Sequence, residues 1–452
     1  MRTTLSQLGQ WIPDSHITAD VVIDGISTDS RRVASGSLFI ALKGERFDAH
    51  RFLGDVAAAK AAAVMVEQVP ESYPLPALVV DDTRCAMGQM AGGWRQQFDI
   101  PVIGVTGSNG KTTVKEMIAS VLRCAFGEDG YLATAGNFNN DIGVPLTVFR
   151  LAHAHRAAVI ELGMNHVGEI AALAAIAQPT IGLVNNAQRE HQEFMRSVAA
   201  VARENGTVIQ TLPPDGVAVF PAGDTYSALW AELAGDRASV TFGFGEDADV
   251  SVRIIETGDR TRVAMRLAGE TVEVNLATSG RHNVMNAAAA AACCLAAGID
   301  RSAIVRGLET FVPVHGRLER KTAFNGARLI DDTYNANPDS VRAAIDVLAD
   351  ISDDGVLVLG DMGEVGDHGK QFHAEIGAYA KTRGIGHLFA FGNMARSAAD
   401  AYGKTARHFT EMDAMNHALK EILVPDMTVL VKGSRFMKME RVVEQLMEKE
   451  GR

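Results

Sequence analysis

The segment around residues 101–126 constrains the fold more than any other part of the sequence. Residues 101–106 form an apolar run that predicts a buried strand, and a glycine-rich turn with Gly107 and Gly110 follows it directly. After the turn, apolar residues recur with the spacing of one helical face: Val114, Met117, Ile118, Val121, Leu122 and Ala125. A strand, a glycine turn and a helix in this order predict a P-loop, in which backbone N–H groups and the helix N-terminus bind phosphate.

The residues of this turn predict a site for ATP and Mg²⁺. Lys111 would reach the β- and γ-phosphates, and the Thr112 hydroxyl would coordinate the magnesium ion. The spacing departs from the strict P-loop pattern, since Val105 stands where the first glycine belongs and Gly104 lies one place early. The alternative is a glycine turn with an incidental lysine and no ligand. We predict that the whole turn binds the nucleotide: Gly107, Ser108, Asn109, Gly110, Lys111, Thr112 and Thr113.

The rest of the chain predicts an α/β fold in several domains. At 452 residues it is too long for one hydrophobic core, and roughly 150 residues per domain gives about three domains. Strand-like runs at 157–162, 181–185 and 217–220 alternate with helical patterns, which predicts a mostly parallel sheet covered on both faces. A β-rich stretch, residues 239–276, fits a hairpin insertion. We expect a small α/β domain at 1–82, a central P-loop domain at 83–313 and a C-terminal Rossmann-like domain at 314–452.

Composition narrows the class of protein. Apolar residues make up 47% and charged residues 22% of the chain, which is typical of a globular enzyme, and the net charge of −12 argues against general nucleic-acid binding. The cysteines lack the paired spacing of metal ligands, so we expect reduced core thiols at Cys85, Cys124, Cys293 and Cys294. The first residues have no apolar signal region, and no apolar stretch is long enough to cross a bilayer. We therefore expect a cytoplasmic protein without membrane insertion.

Two residues near the ends of predicted strands are candidates for the chemistry. Glu161 ends the strand 157–162, and His191 follows the strand 181–185 and its loop. Ligands bind at the carboxyl ends of the strands in parallel sheets, and Mg²⁺ prefers oxygen ligands. Taken alone, Glu161 could be a surface carboxylate and His191 a loop imidazole. Their placement after successive strands beside the P-loop favours a metal site with Thr112.

Seven strings of residues occur in an order that is typical of one enzyme family: Thr28–Arg31 with Leu38–His50, then Val105–Thr113, Thr134–Pro145, Gly280–Ala287, His315–Arg317, Asp331–Pro338 and Lys432–Arg435. They run the whole length of the chain. The chain resembles the ATP-dependent peptide ligases of bacterial cell-wall precursor synthesis. The string Thr134–Pro145 resembles the family member that adds a dipeptide more than its siblings that add single amino acids.

The resemblance implies a reaction that the P-loop can support. In this family the terminal carboxylate of a UDP-N-acetylmuramoyl-tripeptide takes the γ-phosphoryl group of ATP, and the amine of D-alanyl-D-alanine attacks the acyl phosphate. We therefore expect ATP and Mg²⁺ as cofactors, these two small molecules as substrates, and a hinged C-terminal domain that closes over the nucleotide. Relatives are typically monomers. The third residue of the tripeptide, diaminopimelate or lysine, stays open.

The resemblance also assigns residues to ligands. The catalytic residues would be Lys111, Glu161 and His191, of which the last two would bind the metal with Thr112. Beyond the P-loop, the nucleotide would contact Asn283, Asn286, Arg317, Asp331 and Asp332. The substrates would contact Thr28, Ser30, Arg31, Lys43, Arg46, Asp48, Asn137, Asn139, Asn140, Tyr334, Asn335, Lys432 and Arg435.

The sequence departs from the family at one position of the metal site. Most relatives carry a carbamylated lysine some dozen residues after the metal-site histidine, and it supplies an anionic oxygen to a second magnesium. Here Arg203 stands at the expected place, and arginine stays protonated. Either Glu204 supplies a carboxylate instead, or Arg203 contacts a phosphate directly; the two could also be a solvated helix pair. Further candidates for the carboxylate are Glu190 and Glu193.

Two other functions compete with this interpretation. The chain could be another ligase of the same superfamily, adding a single amino acid or acting as a folylpolyglutamate synthase. From a different class, it could be a P-loop protein whose nucleotide is a switch. The switch interpretation leaves the strings near Thr28 and Asp331 unexplained.

Overall fold

The computed structural model describes residues 1–44, 47–190, 192–258 and 260–447. Its N-terminal domain is built on a five-stranded sheet with the order β2-β7-β6-β5-β4, beside the two-stranded pair β1-β3. The strands are β1 (Arg2–Thr4), β2 (His16–Ile17), β3 (Val22–Asp24), β4 (Ile26–Ser27), β5 (Leu38–Ile40), β6 (Ala63–Val66) and β7 (Ala77–Val79). The helices are α1 (Leu5–Gln10) and α2 (Leu53–Ala58), with 3₁₀ turns at Ser30–Arg32 and Ala49–Phe52.

The central domain contains the largest sheet. Its strands are β8 (Val102–Thr106), β9 (Tyr131–Ala133), β10 (Ala157–Glu161), β11 (Ile181–Val184), β12 (Val217–Pro221), β13 (Ala238–Gly243), β14 (Val250–Glu256), β15 (Thr261–Leu267) and β16 (Glu270–Leu276). Its helices are α3 (Thr83–Arg95), α4 (Lys111–Phe126), α5 (Gly143–Val148), α6 (Glu169–Ala177), α7 (Gln192–Met195), α8 (Val198–Gln210), α9 (Ser227–Ala234), α10 (Arg281–Ala296) and α11 (Arg301–Thr310).

The strand order of this sheet fixes the place of the P-loop. It runs β16-β15-β14-β13-β12-β11-β8-β10-β9, and every pair from β9 to β14 is parallel. Strand β8 therefore lies between β10 and β11, where the chain turns to opposite sides of the sheet. Such a switch point opens a crevice at the carboxyl ends of the strands. The β-rich stretch 239–276 extends this sheet rather than forming a separate hairpin insertion, and only β14 to β16 pair antiparallel.

Small side chains let helices cover the sheet closely. Residues 287–292 of α10 are all alanine and fully buried, and α10 and α11 both pack on α4. At Gly307 of α11, an added Cβ would lie 2.4 Å from the Cα of Val121 on α4, so only glycine fits there.

Cys293 and Cys294 are buried in α10, and burial raises the pKa of both thiols. The expectation of core thiols is wrong for Cys85, which is exposed, and Cys124 is only partly buried.

The C-terminal domain is a second mostly parallel sheet, with the order β17-β18-β22-β19-β20-β21 and only β17 antiparallel. Its strands are β17 (Glu319–Thr322), β18 (Arg328–Asp332), β19 (Gly355–Gly360), β20 (His387–Phe391), β21 (Arg407–Phe409) and β22 (Thr428–Lys432). Its helices are α12 (Pro338–Ile351), α13 (Gly369–Thr382), α14 (Ala395–Tyr402), α15 (Met412–Ile422) and α16 (Glu440–Met447), with 3₁₀ turns at Gly366–His368 and Arg435–Met437. Within the described ranges, no helix is both long and apolar enough to span a bilayer.

Candidate nucleotide and catalytic site

A cavity of about 720 Å³ lies between the central and C-terminal domains. The central domain contributes the P-loop, the ends of β10 and β11, and the start of α10. The C-terminal domain contributes Arg317, Asp332, Lys432 and the loop from Tyr334 to Asn337. The residues that line the cavity therefore come from both domains, and many of them follow the carboxyl ends of strands.

The P-loop has the conformation that a phosphate site needs. Gly107 and Gly110 have positive φ angles of 135° and 82°, and Gly110 caps α4 without a side-chain hydrogen bond. The N–H groups at the start of α4 are therefore not used by a capping side chain, and they can bind an anion. An added Cβ at Gly107 would lie 3.1 Å from the backbone nitrogens of Asn185 and Asn186, so the loop packs tightly on the segment after β11.

The Lys111 ammonium folds back over its own loop. Its Nζ is 2.5 Å from the carbonyl oxygen of Gly107 and 3.3 Å from that of Ser108. The same atom is 3.5 Å from Oε2 of Glu190, a side chain that is 6% exposed. These contacts hold the ammonium at the point where the phosphates of a nucleotide would meet the start of α4.

Glu161 has the environment of a cation ligand. It is 2% exposed, and its Oε1 accepts hydrogen bonds from the Thr112 hydroxyl (3.2 Å) and from Nδ2 of Asn139 (2.8 Å). Its Oε2 is buried and has no hydrogen-bond partner among the described residues. A buried carboxylate oxygen without a partner is unfavourable, whereas Mg²⁺ binds such oxygens readily. Thr112 and Glu161 therefore fit a magnesium ion; His191 lies outside the described residues.

A chain of amide groups joins the P-loop to α10. Nδ2 of Asn185 donates to the carbonyl of Asn109 (2.8 Å) and to Oδ1 of Asn286 (2.9 Å). Nδ2 of Asn286 in turn donates to Oδ1 of Asn283 (3.1 Å). Asn283 and Asn286, two of the predicted nucleotide contacts, thus line the cavity beside the phosphate loop.

The segment after β11 fixes the other side of the P-loop. The N–H of Ser108 donates to the carbonyl of Asn186 (3.1 Å), and the N–H of Gln188 donates to the hydroxyl of Ser108 (2.8 Å). Asn109 donates to the side chain of Gln188 (2.6 Å). The sequence prediction missed Asn186 and Gln188; their position after a strand, like that of Glu161, was the available signal.

The C-terminal domain brings two cations to the cavity. Nη2 of Arg317 donates to the Thr112 hydroxyl (2.9 Å), and its guanidinium lies over the Tyr334 ring (4.1 Å to the centroid). Lys432 donates to Oδ2 of Asp332 (2.6 Å) and to the carbonyl of Asn335 (2.9 Å). Burial raises the pKa of Asp332, and the ammonium of Lys432 opposes this shift.

Several predicted residues lie away from this cavity. Asp331 points to the opposite face of β18 from Asp332, where it binds Lys321 (2.6 Å), because successive strand residues alternate. Arg435 is exposed and pairs with Glu440 (3.4 Å), and Asn137 is exposed in its loop.

In the N-terminal domain Arg31 pairs with Asp29 and Lys43 with Glu67. The predicted residues of that domain do not line the cavity: Thr28, Ser30, Arg31, Lys43 and Asp48. Arg46 lies outside the described residues.

The structure also corrects the expectations for the α8 segment. Arg203 is exposed, and neither it nor Glu204 lines the cavity. Glu204 is buried, and its Oε1 accepts the backbone N–H of Ile170 (3.0 Å) near the start of α6. A solvated pair is therefore wrong for Glu204, and the geometry does not support Glu204 as a metal ligand. Adjacent helix residues point in different directions, which separates Arg203 from Glu204.

Arg189 connects the two domains that enclose the cavity. Its guanidinium pairs with Asp339 at the start of α12 (2.7 Å) and with Glu375 of α13 (2.8 Å). Its backbone N–H also donates to Oδ2 of Asp339 (2.8 Å). The hydrogen bonds to both carboxylates raise the pKa of the guanidinium. Nearby, Nδ2 of Asn337 donates to Oδ1 of Asn109 in the P-loop (2.9 Å). These contacts hold the C-terminal domain against the P-loop.

Replacing Arg189 by alanine is expected to release the C-terminal domain. Losing one partner of a part-buried ion pair at an interface costs about 2 kcal/mol or more, so the ratio of closed to open protein should fall about thirtyfold or more. Small-angle X-ray scattering without ligand should show a larger radius of gyration than the unmodified protein. The exposed residue Arg203, changed to alanine, is the control and should leave the scattering unchanged. Identical curves for all three proteins would contradict the role of Arg189.

A P-loop at a switch point, an acidic strand end beside it and cations from a further domain define a three-domain ATP-dependent ligase. Residues 105–294 match the family model described as Mur ligase middle domain, and residues 316–435 match the one described as Mur ligase, glutamate ligase domain. The chain belongs to the Mur ligase family. The predicted resemblance and the α/β fold are confirmed.

Among curated relatives, a protein of Escherichia coli (strain K12) is 40% identical over 450 residues, covering 98% of both chains. One of Bacillus subtilis (strain 168) is 35% identical over 94% of both chains. Both are named UDP-N-acetylmuramoyl-tripeptide–D-alanyl-D-alanine ligase. Among solved structures, MurF from Acinetobacter baumannii superposes with a TM-score of 0.93 at 36% identity, covering 99% of both chains. MurF ligase from Thermotoga maritima, solved in complex with ADP, superposes with a TM-score of 0.84 at 25% identity, covering 93% of this chain and 96% of that one.

Proposed function

We propose that this protein joins D-alanyl-D-alanine to UDP-N-acetylmuramoyl-tripeptide and cleaves ATP to ADP and phosphate as it does so. The observation that carries the proposal is the cavity between the central and C-terminal domains. In it the P-loop, the buried Glu161 and the cations of the C-terminal domain face one another. The names of full-length relatives supply the substrates.

The proposed reaction has two steps. The terminal carboxylate of the tripeptide attacks the γ-phosphorus of ATP, which forms an acyl phosphate and releases ADP. The amine of D-alanyl-D-alanine then attacks the acyl carbon, and phosphate leaves as the amide forms and the amine loses a proton. Phosphoryl transfer depends mainly on positioning and charge neutralisation, so the chain needs no covalent nucleophile.

The residues of the cavity would divide these tasks. Lys111 and the N–H groups at the start of α4 would bind the phosphates, and Arg317 would add a second cation beside Thr112. Thr112 and Glu161, with His191 from the family resemblance, would hold Mg²⁺, which supplies further neutralisation of the phosphate charge. Closure of the C-terminal domain would keep water from the acyl phosphate.

The substrates would approach from the N-terminal side. Asn139, Asn140 and Arg84 line the edge of the cavity, with Arg84 paired to Asp141. We infer that the acceptor peptide end lies there, while the UDP group binds the N-terminal domain near Thr28, Ser30, Arg31, Lys43, Arg46 and Asp48. We further infer that the protein acts as a monomer in the cytoplasm, where ATP is present.

Phosphate release provides the test. With ATP, Mg²⁺ and the UDP-linked tripeptide, release should depend on added D-alanyl-D-alanine, and mass spectrometry should detect the pentapeptide product. Tripeptides ending in diaminopimelate and in lysine should be compared. Single amino acids in place of the dipeptide are the control, because a sibling ligase would use one of them. A rate of phosphate release that stays the same with and without every amine acceptor would contradict the proposal.

A further inference from the structure

The cavity contains a second deeply buried carboxylate that the reaction above does not use. Of the carboxylates that line it in the described part of the chain, Glu161 and Glu190 are the most deeply buried, at 2% and 6% exposure. Glu161 ends β10, whereas Glu190 follows β11, on the other side of β8. The two side chains therefore reach the phosphate loop from the strands on either side of β8, Glu161 at Thr112 and Glu190 at Lys111.

The backbone places Glu190 firmly at the phosphate end of this cavity. Its Oε2 lies 3.5 Å from Nζ of Lys111, and its backbone N–H donates to the carbonyl of Gln188 (2.9 Å). Gln188 is itself bound to Ser108 and Asn109 of the P-loop. Because these hydrogen bonds join the segment to the loop that binds phosphate, Glu190 keeps its distance from the nucleotide site when the domains move.

A carboxylate at this point opposes the binding of a triphosphate unless a cation lies between them. Two negative groups a few ångströms apart in a site with little water repel each other strongly. Glu161 independently indicates that a cation fits here, since its buried Oε2 has no hydrogen-bond partner among the described residues. Magnesium in nucleotide sites takes one or two carboxylates together with phosphate oxygens and water.

The other candidates for an added anionic ligand are excluded by their positions. Glu204 accepts a hydrogen bond from the backbone of Ile170 and does not line the cavity. Glu193 is exposed on α7. Among the acidic candidates that the sequence offered in place of a carbamate, only Glu190 lines the cavity.

We propose that Glu190 is a second carboxylate ligand of the divalent cation that accompanies the nucleotide, across the P-loop from Glu161. The inference rests on the proposed function only in requiring that the cavity binds ADP or ATP. Glu190 thus adds a second negative oxygen at the phosphate end of the cavity, beside Lys111. Before the cation arrives, the same carboxylate binds the Lys111 ammonium.

Manganese binding tests the proposal without turnover. Electron paramagnetic resonance would measure the Kd of Mn²⁺ in the complex of the full chain with ADP, for the unmodified protein, Glu190→Gln and Glu193→Gln. Glutamine keeps the shape of the side chain and removes its charge. We expect the Kd to rise about tenfold to hundredfold in Glu190→Gln, as for other residues around a bound metal, and to stay unchanged in Glu193→Gln. Glu190→Asp, which keeps the charge, should fall between the two.

If Glu190 only holds the Lys111 ammonium and does not bind the cation, the binding measurements should give a different result. In that case Glu190→Gln would change the affinity for ADP in the presence of EDTA and leave the Kd of Mn²⁺ unaltered, which would overturn the proposal. An equal loss of Mn²⁺ affinity in Glu193→Gln would also overturn it. No peptide substrate is present in these measurements, so a wrongly assigned acceptor would leave them unaffected and would appear only in the assay of phosphate release.

Discussion

Replacing Lys111 by alanine is expected to lower kcat for phosphate release by about 10³-fold, the scale seen when a group that stabilises transition-state charge is removed. The Lys111 ammonium lies at the start of α4 over the carbonyls of Gly107 and Ser108. There the ammonium can stabilise the negative charge that develops on the γ-phosphoryl group during transfer. No other lysine of the described chain lines the cavity except Lys432, which is bound to Asp332 on the C-terminal side.

The control for this change is an exposed lysine of the C-terminal domain, Lys404, replaced by alanine. It should retain full activity. Thermal unfolding of Lys111→Ala should show a folded protein, because the contacts of the ammonium are with its own loop and with Glu190. Activity within tenfold of the unmodified protein would mean that the P-loop lysine is not needed for phosphoryl transfer.

Replacing Glu161 by glutamine is expected to lower activity by about 10²-fold and to raise the Mg²⁺ concentration that half-saturates the enzyme. An amide oxygen in place of Oε1 can still accept from Thr112 and Asn139, so the local structure should persist. The amide nitrogen would take the place of Oε2, the buried oxygen that has no hydrogen-bond partner among the described residues. An amide nitrogen cannot bind a cation, so the substitution should weaken the binding of magnesium.

The matched control is Glu204→Gln, since Glu204 is equally buried but outside the cavity. Its carboxylate accepts the N–H of Ile170. We expect a loss of unfolding free energy of about 1 kcal/mol with the same magnesium dependence, because a weaker acceptor replaces a charged one. A shift of the magnesium dependence in Glu204→Gln, with none in Glu161→Gln, would reverse the roles assigned here.

The local parts of the site could be predicted from the sequence because they depend on neighbouring residues. The apolar run before Gly107 and the helical spacing after Thr113 determine a strand, a turn and a helix within one segment. Glu161 follows from the same logic, since it ends a strand. Family membership, predicted from seven strings in order, is confirmed by the full-length relatives. The short edge strands β9, β17 and β21 were missed because three or four residues carry little periodicity.

The contacts between distant segments could not be predicted in this way. Arg189 meets Asp339 and Glu375 because two domains come together, and nothing local marks that pairing. The sequence pattern also could not determine the register of strand β18. A shift of one residue decides whether Asp331 or Asp332 faces the cavity. The roles of the N-terminal residues, such as Thr28 and Lys43, and of His191 stay predictions.

Arg317 changes the meaning of any nucleotide affinity measured on this protein. Its guanidinium reaches the Thr112 hydroxyl from the C-terminal domain, at the oxygen proposed to turn toward magnesium. This hydrogen bond competes with magnesium for the Thr112 oxygen, so Arg317 would have to shift from Thr112 to the phosphates when the cation and the nucleotide bind. Binding has to break the Arg317–Thr112 contact, so the observed Kd is larger than the intrinsic Kd of the site. An inhibitor that occupies the magnesium position beside Thr112 will likewise have to displace Arg317 from that hydroxyl.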